Sequence, residues 1–563
     1  MYNLEKTIFN IKEAVKNSIK LAIEKDILKG EKEFNFEVEV PTEKGHGDLT
    51  TNVALVSSKI FRTSPRNIAQ TIVDNIDITL IDVEKIEIAG PGFINFYLKP
   101  NFFINTLKEI KTLKNKYGIL DYGKNEKVMV EFVSAYPTGP MHMGNARLGA
   151  LGDCLSSILK KAGYDVFKEF YVNDAGNQIE KFGLSLDVRY RQICGDKELE
   201  MPEECYQGQD IIDLAQDFFN EYSDKYINLP FEERKKALVD FSLPKNISRM
   251  KKDMEKYKII YDNWFYESDL HKNGEVDKII NLLTEKGYTY EKDGSVWYKS
   301  TEFGLEKDDV LRRQNGIPTY FAADIAYHYN KFVTRGFSKC IDIWGADHHG
   351  HVARMKGSMD ALDIGGNKLE ILLVQLVRLL KNGEIVRMSK RTGKAIQLSD
   401  LIDEVGADSA RFIFNTHEAC SGMDFDLDLA VKEDSQNPVY YVKYAHARLC
   451  SIFRQAVEKG IDLNDIENAD LSLLIDESEK NIIFFMSMYP AEILKSAINY
   501  DPTKIIRYVI LLATLFHKFY SSCKVISEDA ELTKARLYLC ETVKILIKDV
   551  LDMFKVEAPE AMN

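Results

Sequence analysis

Glu131-Phe132-Val133-Ser134-Ala135-Tyr136-Pro137-Thr138-Gly139-Pro140-Met141-His142-Met143-Gly144-Asn145-Ala146-Arg147 passes from an apolar run, through a Pro/Gly-rich turn, into a helical pattern. The run at 128–133 reads as a strand, 146–162 as a helix and 166–172 as another strand. Strand, helix, strand predicts a parallel sheet. The turn opens onto a helix N-terminus, where unpaired N–H groups and the positive end of the dipole favour an anion. The glycines let a nucleotide approach the backbone, and His142 and Asn145 add side-chain donors suited to the phosphates of ATP. The structural alternative is that Pro-Thr-Gly-Pro punctuates a turn and His142 caps it.

A second stretch, Arg387-Met388-Ser389-Lys390-Arg391-Thr392-Gly393-Lys394, follows a hairpin signal at Lys381-Asn382-Gly383. Between Arg378 and Lys394 stand six Lys or Arg against one acid, Glu384. Such a cationic loop can close on a leaving pyrophosphate, with Lys390 as the chosen donor. By itself it also reads as a solvated basic loop.

Working outward, residues 3–28 carry helical apolar spacing, followed by a strand near 35–40 and by Ile86 to Leu98 as two runs around Gly90-Pro91-Gly92, with a linker expected within 100–125. Residues 180–311 are charged and helix-rich and read as an insertion, after which Ile341–Gly345 and Leu369–Leu376 return as strands of the sheet. Beyond Pro438 the pattern is helical, and Leu539, Val543, Leu546, Ile547, Val550, Leu551 and Phe554 form one apolar stripe. The fold expected is α/β: a Rossmann-type parallel-sheet catalytic domain at 116–430 with an inserted helical segment, a small N-terminal α/β domain at 1–115, and a C-terminal all-α helical bundle at 431–563.

With 563 residues, 45 % hydrophobic and 29 % charged, core size is not limiting. The apolar run 508–516 is far shorter than the roughly 20 residues of a spanning helix, so no membrane partner is expected. Eight scattered cysteines form no CxxC pair, which fits a reducing cytoplasm, and a net charge of -13 confines RNA contact to local patches.

Together the two stretches resemble the class I aminoacyl-tRNA synthetase signatures, His-Ile-Gly-His and Lys-Met-Ser-Lys-Ser, in the right order. Residues 134–147 look like the arginyl enzymes' Ser-Ala-Asn-Pro-Thr-Gly-Pro-Leu-His-Val-Gly-His, and Tyr171-Val172-Asn173-Asp174-Ala175-Gly176-Asn177-Gln178-Ile179 is similar to another of their runs. His46-Gly47-Asp48-Leu49 and Ala89-Gly90-Pro91-Gly92-Phe93-Ile94-Asn95 resemble their N-terminal domain, and Asp408-Ser409-Ala410-Arg411 the Asp-Ala-Leu-Arg of their anticodon-binding domain. The resemblance spans essentially the whole chain.

It implies ATP-dependent activation of L-arginine and transfer to tRNA(Arg), by a cytoplasmic monomer using ATP with Mg2+ and no resident metal. His142, Asn145 and Lys390 would be catalytic, with His142, Gly144, Asn145, Met388, Ser389 and Lys390 binding ATP. Glu131, Ser134, Tyr136, Tyr320, Asp324 and His348 would bind arginine, whose planar guanidinium demands carboxylate acceptors. Tyr320 and Asp324 are four apart and share a face if helical. Among the first bundle residues, Tyr440, Tyr444, His446 and Arg448 interleave rings and cations suited to unstacked anticodon bases.

Three departures stand out: Asn145 replaces the second signature histidine, Tyr136 replaces an asparagine, and Arg387 and Arg391 flank the intact Met388-Ser389-Lys390. The alternatives are a non-charging paralogue that binds RNA, a synthetase for another amino acid and, from the histidines of 347–351, a metal-dependent phosphoesterase.

Overall fold

The computed structural model describes residues 1–30, 34–42, 45–386 and 396–562. Helix α1 (Asn3–Glu24) buries Leu4, Ile11, Val15, Ile19 and Ala22 along one face, as its spacing dictates. It belongs to a unit with a four-stranded antiparallel sheet in the order Val38–Glu39, Leu49–Thr51, Phe93–Leu98, Val83–Ala89. The turn joining the last two strands uses positive φ at Gly90 and Gly92, and a Cβ on Gly92 would sit 2.9 Å from Pro65.

The linker expected within 100–125 is instead largely helix α2 (Pro100–Leu113). Pro100 starts it, where a missing N–H costs nothing, and Phe102, Phe103, Leu107 and Ile110 form a buried stripe. That stripe packs against the C-terminal bundle, and Lys111 pairs with Glu541 at 2.7 Å.

The central sheet has five parallel strands: β1 (Lys127–Phe132), β2 (Asp165–Val172), β3 (Asn263–Tyr266), β4 (Lys339–Gly345) and β5 (Leu369–Val374). Helix α3 (Met143–Lys161) makes the first crossover. The spatial order is β3-β2-β1-β4-β5, so strand order reverses between β1 and β4. In such sheets ligands bind at the carboxyl ends beside that reversal.

Strand β3 corrects the reading of 180–311 as an uninterrupted insertion, because Glu169 to Val172 of β2 pair with Asn263 to Tyr266. The remainder is a helical subdomain of α4 (Asn177–Ile193), α5 (Gln209–Tyr222) and α6 (Phe231–Lys256) around Phe182, Tyr190 and Phe218, followed by a small antiparallel sheet. Helix α7 (Tyr320–Tyr329) runs into one wide π-type turn, Asn330–Thr334, before β4, and α8 (His349–Ala361) follows β4.

Helix α9 (Ala407–Phe414) leads to a bundle that includes α10 (Pro438–Glu458), α11 (Thr503–Ser522) and α12 (Ala530–Met553). The stripe expected on α12 is buried, and Phe554 beyond its end is buried as well. Arg411 of α9 is wholly buried, donating to Asp153 of α3, to Phe554 O and to Tyr257 O. Among the described residues no helix is long and apolar enough to cross a membrane.

Candidate active site

At the carboxyl end of β1 the chain makes a strained corner, with φ of 75° at Val133 and 33° at Ser134. A β-branched residue in this region is a true outlier, and such strain concentrates at functional sites. The corner turns the chain across β2, where Ala135 bridges Val172, and on to α3. Asn246 of α6 holds the turn by donating to Pro137 O at 2.9 Å.

His142 is the N-cap of α3. Its Nδ1 accepts from Gly144 N at 3.1 Å, while Asn145 Oδ1 accepts from His142 N at 2.9 Å. The two signature side chains thus form a reciprocal capping box. The substituted Asn145 suits that role, since its oxygen accepts while its amide hydrogens remain donors.

Met388, Ser389 and Lys390 lie outside the described residues. Both roots of their stretch are described. Before it, Val377–Lys381 and Glu384–Ile385 form the hairpin, with positive φ at Asn382 and Gly383. After it, the chain pairs antiparallel with the first signature: Leu398 N donates to Met141 O at 2.9 Å and Met143 N to Ile396 O at 3.3 Å. Arg249 of α6 reaches Gln397 Oε1 at 2.6 Å.

Beneath the corner lies a row of three carboxylates, because Glu131 of β1 is in register with Asp342 of β4 and with Glu169 of β2. Like charges side by side destabilise a sheet unless compensated. The end of α7 and the wide turn supply the compensation. Lys331 Nζ contacts Glu131 Oε2 at 2.6 Å and Asp342 Oδ1 at 2.9 Å, His328 Nε2 meets Asp342 Oδ2 at 2.7 Å, and Arg335 forks onto Glu169 at 2.5 and 2.9 Å. Ser134 Oγ donates to Glu131 Oε1 at 2.7 Å. Burial pushes the Glu131 carboxyl up, with Lys331 opposing. Burial also works against Asp342, but the Lys331 and His328 charges bring its carboxyl below the ordinary range.

Above this row, Asp324 on α7 is buried and its Oδ2 meets His351 Nε2 of α8 at 2.8 Å. Tyr320, one turn earlier, is half-exposed, and its phenol is raised first by the Asp324 charge and then by burial. Trp344 and Tyr320 both lie near the His351 ring, at 5.6 and 6.2 Å between centroids. His348 lies more than half exposed at the start of α8, near Trp344. Tyr136 projects from the strained turn, its phenol pushed up to about 12 by burial and by the charges of Glu267 and Asp324.

Glu267, directly after β3, is buried, and among the described residues it has a 3.5 Å contact from Asn173 and a 3.9 Å contact from His271. The buried Tyr171 hydroxyl of β2 has no partner among the described residues, and burial and the charges of Glu267 and Asp324 raise it. The carboxylates and phenols around Asp324 therefore gather acceptors suited to a cation, while the capped N-terminus of α3 suits an anion.

Glu267, Tyr171, His351 and Lys331 were absent from the sequence-derived site. Recognising β3 finds Glu267, since it sits at a strand's carboxyl end; Tyr171 and His351 lay inside runs already singled out, and Lys331 carries no local signal.

On α10, Tyr440 and Tyr444 stack at 6.1 Å, and Arg448 donates to the Tyr444 hydroxyl at 2.7 Å while lying over the Tyr444 and Tyr520 rings. His446 corrects the expectation of a base contact. It is buried, with Nδ1 against Pro559 O at 2.8 Å, because its helix phase turns it towards the chain end.

The chain matches three family models: the arginyl tRNA synthetase N-terminal domain at 10–98, the class I (R) tRNA synthetase catalytic domain at 106–426, and the DALR anticodon binding domain at 442–562. The Asp408-Ser409-Ala410-Arg411 run lies before the third match. The chain is 54 % identical over 559 residues to an arginine–tRNA ligase of Caldanaerobacter subterraneus subsp. tengcongensis, covering 99 % of both chains. It is 51 % identical over 564 residues to an arginine–tRNA ligase of Acetivibrio thermocellus, covering 100 % of both. The solved arginyl-tRNA synthetase of Thermus thermophilus, 20 % identical, superposes with a TM-score of 0.74 over 99 % of this chain and 100 % of its own, and shares the fold.

Proposed function

The chain belongs to the class I arginyl-tRNA synthetases, and from that premise we propose how its site joins arginine to tRNA(Arg). The observation that carries the reading is the meeting of two opposite ends at the reversal of the sheet. The capped N-terminus of α3 favours phosphate, and buried Asp324, with Glu131 and Glu267 nearby, favours a cation.

ATP, taken as its Mg2+ complex, lies with its phosphates against α3, where Gly144 admits the nucleotide and the Asn145 amide donates. Arginine inserts its guanidinium towards Asp324 and Glu131, with Tyr320 and Tyr136 walling the pocket, Ser134 fixing Glu131 and His348 at its mouth. Its carboxylate attacks the α-phosphate in line, pyrophosphate leaves, and arginyl-adenylate forms. Lys390, with Met388 and Ser389, offsets the charge on the departing phosphates. A hydroxyl of the tRNA's 3′-terminal adenosine then attacks the mixed anhydride and AMP departs. Positioning is the protein's main contribution.

The bundle takes the anticodon stem-loop, with Tyr440, Tyr444 and Arg448 offering stacking surfaces and a cation. The three units at 1–115, 116–430 and 431–563 act within a monomer. The non-charging alternative is not favoured, since the curated relatives matched along the whole chain are arginine–tRNA ligases by name.

The test is ATP consumption and aminoacyl-tRNA formation across all amino acids, with and without total tRNA. Activity specific to arginine and producing arginyl-tRNA supports the reading. Charging with another amino acid, or tRNA binding without turnover by folded protein, sinks it.

A further inference from the structure

The row Glu169, Glu131, Asp342 is paired from one short segment, and its central member is treated differently from its neighbours. Lys331 is wholly buried, and its three hydrogens are accounted for by Glu131 Oε2 and by Asp342 Oδ1 and Oδ2, at 2.6, 2.9 and 3.0 Å. Nothing of Lys331 is left for a substrate. Among the described residues each Glu131 oxygen has a single partner, Ser134 or Lys331, whereas an ionised carboxylate accepts about four hydrogen bonds.

We propose that Lys331 is a positioning residue for arginine: it pairs with Glu131 from within the core, keeps that carboxylate charged, and so sets the preference for a guanidinium over a neutral side chain of the same shape. This rests on the reading above, in which Glu131 meets arginine.

The surroundings make Lys331 decisive. Burial drives Glu131 towards its protonated form and the Asp342 charge adds to that push, while Lys331 is the cation that opposes both. Arg335 is engaged by Glu169, whose Oε1 also accepts from the Tyr327 hydroxyl at 2.7 Å. His328 is engaged as well. Its Nδ1 lies 2.7 Å from Asp324 O and its Nε2 2.7 Å from Asp342 Oδ2, so both nitrogens are already taken by acceptors. The thiol of Cys340, also facing Lys331, is pushed up by burial and is no competing anion. Remove the Lys331 charge, and Glu131 takes up a proton and ceases to select a cation.

The experiment compares full-length wild type, K331Q, E131Q, K331R and the K331Q/E131Q double variant in tRNA-supplemented ATP–pyrophosphate exchange. Arginine and the neutral isostere citrulline are each titrated from about pH 6 to about pH 9. K331Q is expected to raise the arginine KM about ten- to hundredfold at the acid end, less at the alkaline end, with the ATP KM unchanged. E131Q raises it without pH dependence, the double variant matches E131Q, K331R recovers most of the loss, and discrimination against citrulline narrows in K331Q. If K331Q acts equally strongly in the E131Q background, or lowers kcat alone, the inference is overturned and the parent reading stands. If E131Q leaves the arginine KM unchanged, the parent reading itself fails. Should K331Q not fold, the infrared difference between wild type and E131Q decides: a protonated Glu131 band near neutral pH overturns the inference, and its absence supports it.

Discussion

Asp153 and Glu131 are both buried carboxylates of the catalytic sheet region, and they differ in how many of their acceptor positions the protein fills. Asp153, on α3, accepts from Lys168 at 2.9 Å and Lys555 at 3.2 Å on one oxygen, and from Arg411 at 2.5 Å and Lys555 at 3.1 Å on the other. Among the described residues Glu131 has one protein partner on each oxygen. The saturated carboxylate is a joint, tying the signature helix to α9 and to the end of the bundle. The half-filled one is the carboxylate that the proposed function places against arginine. On the proposed reading, counting open acceptor positions separates a structural charge from a substrate-facing one where burial alone does not.

Breaking the joint has the largest expected effect. Asp153→Ala leaves Arg411 buried without its counter-ion and should cost about 3–5 kcal/mol, read as a fall in the denaturation midpoint. A neutral result would mean that the joint relaxes. Its acid titration follows the same logic. Asp153 is held at about 2, because Arg411 and Lys168 outweigh the burial that alone would raise it. Its folded value is below the unfolded value of about 3.9, so its stabilisation is present above about pH 4 and is lost as pH falls towards about 2. Asp153→Asn should flatten that part of the stability profile.

Asp324→Asn tests the open side. It should raise the arginine KM roughly ten- to hundredfold with little change in the denaturation midpoint, the reverse of the Asp153 pattern. Unfolding without a change in KM would place Asp324 among the joints. Asn145 stands between the two classes, since its oxygen is used by the cap and its amide is not. Asn145→Ala should cost about 1 kcal/mol of stability and also raise the ATP KM. A stability loss alone would reduce it to a cap.

The smallest effect concerns His517 on α11. Burial and the neighbouring Arg448 hold it at about 4. That is below its unfolded value of about 6.5, so its contribution is intact above about pH 6.5 and fades as pH falls towards about 4. His517→Gln should remove this modest slope in thermal melts, and an unchanged slope would assign it elsewhere.

The strand-turn-helix of the first signature was legible because its pattern is local: an apolar run, prolines and glycines in the turn, a capping residue, then helical spacing. Helix α2 was equally legible from Pro100 and the Phe103/Leu107/Ile110 spacing but was read as a linker. Strand β3 was not, since Asn-Trp-Phe-Tyr is four residues among helices and its pairing with β2 lies almost a hundred residues away. The chemistry divides likewise. Asp324 and Tyr320 share a helix face and could be seen together, whereas Lys331 and Glu131 are 200 residues apart and meet only once the sheet closes. His446 shows the converse: side-chain type suggested a surface role, and helix phase buried it.

The wide turn at Asn330–Thr334 carries one residue more than an α-helical turn would. Each residue advances a helix by about 100°, so deleting one here would swing Arg335 out of phase with Glu169 while Asp324 stayed in place. The length of this turn is therefore itself heritable information. Insertions and deletions within it cannot be tolerated, and viable descendants of this chain should keep the spacing from Asp324 to Arg335, with His328 and Lys331 fixed inside it, even where exposed neighbours such as Val333 drift.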